Sequence, residues 1–191
     1  MKNIVETKLV KLFLKEQNYQ KAYELYVKAA VMGHVTAIVF VGDMLYRGKG
    51  VERDCREAFR WFMLAAEQDN PMGQFQLAEM LANGEGVEQN YEEAFKWCRR
   101  AAEQGHSQAQ YELGRMYKTG KGVEKDLLES KKWYELAASQ GNKNAQYSLG
   151  LVYCYDHDED GVKQDFNEAA KWFRLAAEQG HREAQYELGR M

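Results

Sequence analysis

The sequence predicts an all-α protein that folds as a right-handed α/α solenoid of helix-turn-helix repeats. Four tryptophans, spaced 36, 36 and 39 residues apart, are each followed four and five residues later by Ala-Ala. Paired glycines in Gly-x-Gly-Val segments recur between them, and an Asx residue follows each pair. One helical hairpin cannot cover its own apolar face, so this period predicts hairpins that stack on their neighbours. The tryptophans are Trp61, Trp97, Trp133 and Trp172.

The period divides the chain into a divergent N-terminal repeat, four full repeats and the start of another. Residues 1–36 match the second half of the template best, and residues 145–183 carry a three-residue insertion in the loop between helices. The last segment is either the first helix of a further repeat or a C-terminal cap. The units are residues 1–36, 37–72, 73–108, 109–144, 145–183 and 184–191.

The first helix of each repeat, here called helix A, is amphipathic. In residues 109–120, for example, Ala109, Leu113 and Met116 follow helical spacing. A small residue recurs in the middle of every helix A, where glycine costs helix propensity. We expect it to permit the close approach of a neighbouring helix. The residues are Gly42, Ala78, Gly114, Gly150 and Gly189.

The second helix, helix B, begins with an Asx residue in every repeat. Four of these residues have a glutamate three positions later, which predicts a capping box with Asx in place of Ser or Thr. Glycine ends most B helices, and Asp69-Asn70-Pro71 stands there in one repeat. The predicted N-caps are Asn18, Asp54, Asn90, Asp126 and Asp165, with Glu57, Glu93, Glu129 and Glu168 as the glutamates.

Composition argues against several classes of partner. The formal charge is −3 with acidic and basic residues mixed throughout, so no basic footprint for nucleic acid is present. No apolar run is long enough to span a bilayer. The three scattered cysteines, Cys55, Cys98 and Cys154, are typical of reduced thiols and favour a cytoplasmic protein. The alternative is a periplasmic or secreted protein whose leader was removed.

The repeated residues resemble the Sel-1-like repeat, a relative of the tetratricopeptide repeat. The shared pattern is Ala-x-x-x-Leu-Gly-x-x-Tyr-x-x-Gly-x-Gly-Val-x-x-Asp, then Ala-x-x-Trp and Ala-Ala-x-x-Gly, and it covers residues 37–191 well. The resemblance implies an α/α solenoid that serves as an adaptor for protein partners, and we expect a bacterial member. One bacterial branch carries a disulfide-bridged cysteine pair in each repeat. This chain lacks those pairs, so that branch's ligands are not carried over.

The segment Tyr155–Gly161 is the candidate metal site. Asp156, Asp158 and Asp160 have the spacing of the first three ligands of a calcium-binding loop. The twelfth position of such a loop requires a bidentate glutamate, but this chain has Asn167 there. We therefore favour a solvated loop extension and expect no metal and no cofactor.

The remaining chemistry-bearing residues do not predict an enzyme. His34, His106 and His181 follow the glycine that ends helix B, in equivalent turns that stacking holds apart. No nucleophile motif is present, and the recurring "GKGV" lacks the Gly-Lys-Ser/Thr ending of a phosphate loop.

The candidate binding surface lies on helix A, which forms the concave face in the related tetratricopeptide architecture. One register position carries aromatics that either grip a partner or pack between repeats. A second position, one turn later, changes charge between repeats and is the better candidate for partner selection. The candidates are Asp43, Tyr46, Phe75, Glu79, Tyr111, Arg115, Lys118, Tyr147, Leu151 and Tyr186.

The sequence thus predicts a non-enzymatic adaptor or scaffold that binds a protein or peptide on the concave face. A dedicated inhibitor or immunity-type protein that occludes one enzyme is the alternative, and a hydrolase hidden in the groove is a third class. Leu188 and Met191 in the last helix either pack on the preceding unit or offer an apolar edge to a partner or a second copy.

Overall fold

The computed structural model describes residues 13, 15–155 and 161–191. Within these residues the secondary structure is helical, in alternating B and A helices, which confirms the predicted all-α class. The B helices are α1 (Tyr19–Val31), α3 (Cys55–Glu67), α5 (Tyr91–Glu103), α7 (Leu127–Ser139) and α9 (Phe166–Glu178). The A helices are α2 (Val35–Arg47), α4 (Pro71–Asn83), α6 (Ser107–Thr119), α8 (Lys143–Cys154) and α10 (Arg182–Arg190).

The chain forms two compact units, residues 1–97 and residues 98–191. In the first unit, α1 packs on α2, α2 on α3 and α3 on α4. In the second unit, the same order of neighbours runs from α6 to α10. Within each unit, these helices therefore pack on their neighbours in sequence, as a repeat protein requires.

The small residue of helix A receives an aromatic ring from helix B of the same repeat. A Cβ built on Gly42 would lie 2.7 Å from the ring of Phe62, and one on Gly150 would lie 2.4 Å from the ring of Phe173. Gly114 and Tyr134 repeat the arrangement at 2.7 Å. These rings are at most 1% exposed. The expected close approach of two helices is therefore confirmed in three repeats, and its contact residue is the one after each tryptophan.

The B helices are capped as predicted, but only half of the capping box forms. Asp54 Oδ1 accepts a bond from the Glu57 amide at 3.0 Å, and Asn90, Asp126 and Asp165 repeat it. The reciprocal bond is missing because the Asp54 amide already donates to the Leu45 carbonyl of α2, at 3.0 Å. Glu57 instead pairs with Arg60. The N-cap thus ties helix B to the helix A before it.

The same correction applies in the later repeats. The Asn90, Asp126 and Asp165 amides donate to Leu81, Tyr117 and Tyr153. The glutamates that the capping box would have used pair instead with a lysine one turn later. These pairs are Glu93–Lys96, Glu129–Lys132 and Glu168–Lys171.

Buried glutamines link successive repeats, a feature that the hydrophobic pattern alone does not indicate. Gln110 in α6 donates to the Ala102 carbonyl at the end of α5, at 3.1 Å, and it accepts a bond from Gln140 at 2.8 Å. Gln146 in α8 makes the same two bonds, with Ala138 and Gln179. Both side chains are 4% exposed. Since a buried amide without partners would be costly, the bonds to the alanine carbonyls specify how one hairpin packs on the one before it, and the glutamine pairs join the two helices of a hairpin.

Asp69 replaces the glycine that ends the other B helices. Its φ is +58°, in the left-handed region where Gly33, Gly105, Gly141 and Gly180 lie. Aspartate tolerates this region better than most residues. Its Oδ1 also accepts a bond from Gln74 at 2.8 Å. The helix therefore ends as its equivalents do, with a side-chain contact that glycine cannot make.

Substitution of Gly150 tests the packing against Phe173. We expect Gly150→Ala to lower the free energy of unfolding by about 1–3 kcal/mol, because the added methyl overlaps a buried ring. The overlap outweighs the roughly 1 kcal/mol that alanine gains in helix propensity. The measurement is urea unfolding.

Gly189→Ala is the matched control, since Gly189 has the same register and a Cβ there would meet nothing within 4 Å. It should leave the stability unchanged or raise it. Equal losses in the two variants would contradict a role for the Gly150–Phe173 contact.

Histidine acts as an N-cap of helix A in two repeats. His106 Nδ1 accepts a bond from the Ala109 amide at 3.2 Å, and His181 Nδ1 accepts one from Ala184 at 3.4 Å. An imidazole can accept at Nδ1 only when that nitrogen carries no proton. Burial lowers the pKa of His106. Protonation would therefore remove the cap and place a positive charge at a helix N-terminus.

The His106 cap predicts a loss of stability at acid pH. With its pKa lower in the folded state than in the unfolded chain, the unfolded state binds more protons, so stability falls as the pH drops below about 6.5. Asn142, the equivalent cap in another repeat, does not titrate and bonds the Ala145 amide at 3.0 Å. We expect His106→Asn to lose less stability between pH 8 and pH 5, by about 1 kcal/mol, the usual worth of an N-cap bond.

Chemical unfolding at several pH values measures this difference. His106→Ala, which has no acceptor at any pH, should already be less stable than the wild type at pH 8. Identical pH profiles for the wild type and His106→Asn would rule out the proposed cap titration.

Candidate functional site on the A helices

The aromatic register position of helix A is largely buried. Phe75 is 5% exposed and Val39 is 4% exposed. Tyr111 and Tyr147 are half-buried, whereas Tyr186 is 64% exposed. Phe75 therefore offers almost no surface to a partner. Tyr186 offers the most.

The two half-buried tyrosines contact the aromatic residue of helix B. The ring of Tyr111 lies 5.9 Å from that of Tyr134, and the ring of Tyr147 lies 5.7 Å from that of Phe173. Tyr147 also stacks on His181 at 4.5 Å. Burial raises the pKa of both Tyr111 and Tyr147, so both hydroxyls remain protonated at neutral pH. Both rings pack inside the second unit, and partner binding by them stays a prediction.

The residues one turn later differ in chemistry from repeat to repeat. Asp43 pairs with Arg47, Arg115 pairs with Glu112 at 2.8 Å, and Arg190 lies 3.8 Å from Glu187. Exposed pairs within one helix contribute little to stability. Leu151 is half-buried beside the cluster around Phe173. These residues are Asp43 and Glu79 in the first unit and Arg115, Leu151 and Arg190 in the second.

Tyr46 is hydrogen-bonded to a neighbouring turn. Its hydroxyl donates to Glu85 Oε2 at 2.6 Å, and this bond is the main cause that raises the pKa of Tyr46 to about 12. The Arg53 guanidinium lies 5.8 Å from the Tyr46 ring and 3.8 Å from the Glu85 carboxylate. Glu85 belongs to the Gly-x-Gly turn of the next repeat. Tyr46 thus joins two repeats, a partnership that residue spacing within one repeat could not reveal.

Lys118 is half-buried, with a pKa that burial lowers and that nearby Lys125 lowers further. Among the residues that the structure describes, no carboxylate forms an ion pair with its amine. A partly desolvated ammonium gains from an opposite charge. Contact of Lys118 with an acidic group of a partner stays a prediction.

The candidate calcium ligands Asp156, Asp158 and Asp160 lie outside the described residues. Within residues 13, 15–155 and 161–191, no three His, Cys, Asp or Glu side chains are grouped so that they could hold a metal ion. Cys55 and Cys154 are free thiols, and Cys98 is buried, with its Sγ bonded to the Ala109 carbonyl at 3.3 Å. None of the described helices combines the length and hydrophobicity that crossing a membrane requires.

Comparison with known proteins identifies the repeat. The family model described as the Sel1 repeat matches residues 13–34, 35–70, 71–106, 107–142 and 143–181. The predicted unit starts, such as Ala109, fall on the third residue of helix A, whereas the matched segments begin at its first residue. No curated protein matches the chain at a significant level.

Several solved structures share the fold. A Sel1 repeat protein from Oxalobacter formigenes is 34% identical, with a TM-score of 0.88 over 96% of this chain and 74% of that chain. The protective antigen c5321 of uropathogenic Escherichia coli is 37% identical, with a TM-score of 0.83 over 90% of this chain. This chain spans 36% of that protein.

More distant structures share the fold alone. The immunity protein Pa5087 from Pseudomonas aeruginosa is 23% identical, with a TM-score of 0.61 over 92% of this chain and 68% of that chain. Because the Sel1 model matches five consecutive segments that account for most of the sequence, the resemblance seen in the glycine, tryptophan and alanine pattern is confirmed: this chain belongs to the Sel1 repeat family.

Proposed function

We propose that the chain is a non-enzymatic scaffold that binds a protein partner on the face formed by its A helices. The observation that carries the proposal is a contrast within each helix A. The core positions repeat with little change, while the position after the small residue reads Asp, Glu, Arg, Leu and Arg from repeat to repeat. A scaffold needs uniform packing, whereas selection of a partner needs a surface that differs along its length.

Two further features support binding over catalysis. Sel1 repeat proteins are generally binding or adaptor proteins without enzymatic activity. Among the described residues, the pKa of Tyr46 and the pKa of Tyr134 are each raised to about 12, so both hydroxyls stay protonated at neutral pH and neither serves as a base.

The mechanism of binding would be rigid display. The core of the second unit joins Tyr134 of α7 to Leu149 and Val152 of α8, and Trp172 of α9 packs against it. Exposed side chains on such a framework lose little backbone entropy when a partner binds. We expect Arg115 and Lys118 to contact acidic groups of the partner, and Asp43 and Glu79 to contact basic ones.

The cellular setting is part of the same proposal. We place the protein in the cytoplasm because three scattered cysteines are typical of reduced thiols. The exposed edge of α10 is a second candidate surface, open to a partner or to a second copy.

Affinity capture from a lysate of the source organism, followed by mass spectrometry, identifies the partner. We expect the double variant Arg115→Glu with Lys118→Glu to capture less of that partner without a lower melting temperature. Both side chains reach the surface, and Arg115 makes only an exposed pair with Glu112.

Lys132→Glu with Lys171→Glu is the matched control on the B helices of the same unit, where each lysine also pairs with a glutamate one turn away. This control should capture the partner normally. A binding loss that parallels a loss of melting temperature would show that Arg115 and Lys118 act in folding.

The stoichiometry separates an adaptor from a dedicated inhibitor. An adaptor holds two partners at once, so the mass of the purified complex should exceed that of a one-to-one assembly. A single tight partner with a one-to-one mass would instead identify the inhibitor or immunity-type function.

A further inference from the structure

Two positions of helix α7 carry a hydroxyl group where the matching positions of α3 and α9 carry none. The residues are Ser130 and Tyr134 in α7, Ala58 and Phe62 in α3, and Ala169 and Phe173 in α9. Ser130 and Tyr134 are at most 1% exposed, so both hydroxyls are buried. Because an alanine and a phenylalanine fill the same positions in two other repeats, packing of the hairpin does not require these hydroxyls.

The Ser130 hydroxyl lies beside the Tyr134 phenol but makes no hydrogen bond of good geometry in this conformation. Burial raises the pKa of Tyr134 to about 12, and the nearby Ser130 hydroxyl opposes that rise because it favours the phenolate. The two side chains are one helical turn apart on α7. A buried hydroxyl without a partner is costly. A small rotation of the Ser130 side chain toward the phenol oxygen removes that cost.

Ser148 of α8 lies beside the same phenol. It is 9% exposed, and its hydroxyl also lowers the pKa of Tyr134 against the effect of burial. The ring of Tyr134 rests on Gly114 of α6, where a Cβ would lie 2.7 Å away. The phenol oxygen therefore extends from a close contact inside one hairpin to a residue of the next helix A. Phenylalanine at this position has no group that Ser148 could bond.

Ser148 also acts on Tyr111, a candidate binding residue of α6. Burial raises the pKa of Tyr111, whereas Arg115 and a hydrogen bond with Ser148 lower it. The rings of Tyr111 and Tyr134 are 5.9 Å apart. The Arg115 guanidinium lies 5.9 Å from the centre of the Tyr111 ring. Tyr111 therefore stands between the buried hydroxyls and a cation at the surface.

We propose that these four hydroxyls form one continuous series of hydrogen bonds, here called the hydroxyl relay, that positions the Tyr111 ring and the Arg115 guanidinium beside it. Each hydroxyl has one proton to donate and lone pairs that accept. Ser130 donates to Tyr134, which donates to Ser148. Ser148 in turn donates to Tyr111. Bonds that point in one direction strengthen one another in a buried site.

The role of the hydroxyl relay in binding rests on the proposed function, because Arg115 is one of the residues that we expect to contact a partner. The position of Arg115 does not depend on what it binds. The experiments below measure that position and the buried bonds without a partner, so the hydroxyl relay and the proposed function can fail separately.

Urea unfolding of the protein with Ser130→Ala, alone and combined with Tyr134→Phe, tests the buried end of the hydroxyl relay. Ser130→Ala should raise the unfolding equilibrium constant roughly fivefold, the usual effect of losing one hydrogen bond. It should not do so in the Tyr134→Phe background, where the acceptor is already gone. A Ser130→Ala variant that is more stable than the wild type, or that is destabilised equally in both backgrounds, overturns the proposal.

Ser139→Ala is the matched control, because Ser139 lies on the same helix and its hydroxyl donates to the Leu136 carbonyl at 2.8 Å. Its effect should be the same in the wild type and in the Tyr134→Phe background. If the effect of Ser139→Ala also depended on the background, the coupling would belong to the general packing of α7, and the hydroxyl relay would be wrong.

Nitrogen NMR relaxation of the arginine Nε–H groups tests the surface end. Ser148→Ala should lower the order parameter of Arg115, because Tyr111 then loses its donor, and Ser148→Thr should restore it, because threonine keeps the hydroxyl. Arg190, which lies 5.6 Å from the Tyr186 ring at the same register, is the internal control and should not change. An Arg115 order parameter that Ser148→Ala leaves unchanged, or that Ser148→Thr lowers as much, overturns the proposal.

Discussion

The contact between the glycine of helix A and the aromatic residue of helix B is the constraint on which three of the described repeats depend. At Gly114 and Gly150 the ring lies where a Cβ would stand, so the two helices approach more closely than any larger residue permits. In the same hairpins the N-cap amide of helix B donates to a carbonyl of helix A. The hairpin is thereby held at its middle by packing and at its turn by a hydrogen bond.

Polar contacts then specify how one hairpin sits on the next. The side-chain amides of Gln110 and Gln146 each donate to a carbonyl at the end of the preceding helix B. Their side-chain oxygens each accept a bond from the glutamine that follows the next helix B, within an otherwise apolar interface. Apolar packing alone tolerates small shifts, whereas a buried amide that loses its partner is costly. Tyr46 and Glu85 make a comparable link at the turns of the first unit. Such links leave the outer positions of helix A free to vary, which is what a binding scaffold requires.

Much of the fold was predictable because its signals are local. Each signal reflects a requirement of the backbone within a few residues of it: these signals are the tryptophan period, the Asx caps and the helix-ending glycines. The structure confirms them. The capping box was half wrong because its reciprocal donor is taken by a helix that precedes it in the chain. The role of the aromatic register position was ambiguous for a related reason. Periodicity shows that Phe75 and Tyr186 share a register, but it does not show that Phe75 is buried and Tyr186 exposed.

The sequence by itself determined the helical class, the repeat and the residues that begin and end each helix, because these follow from periodicity and from the backbone groups that helix ends leave unpaired. Only the tertiary structure decided that Tyr46 bonds Glu85, that Gln146 bonds Gln179 and that Tyr186 stays exposed. Those outcomes depend on how separate helices pack against one another, and the register within a single helix does not contain that information.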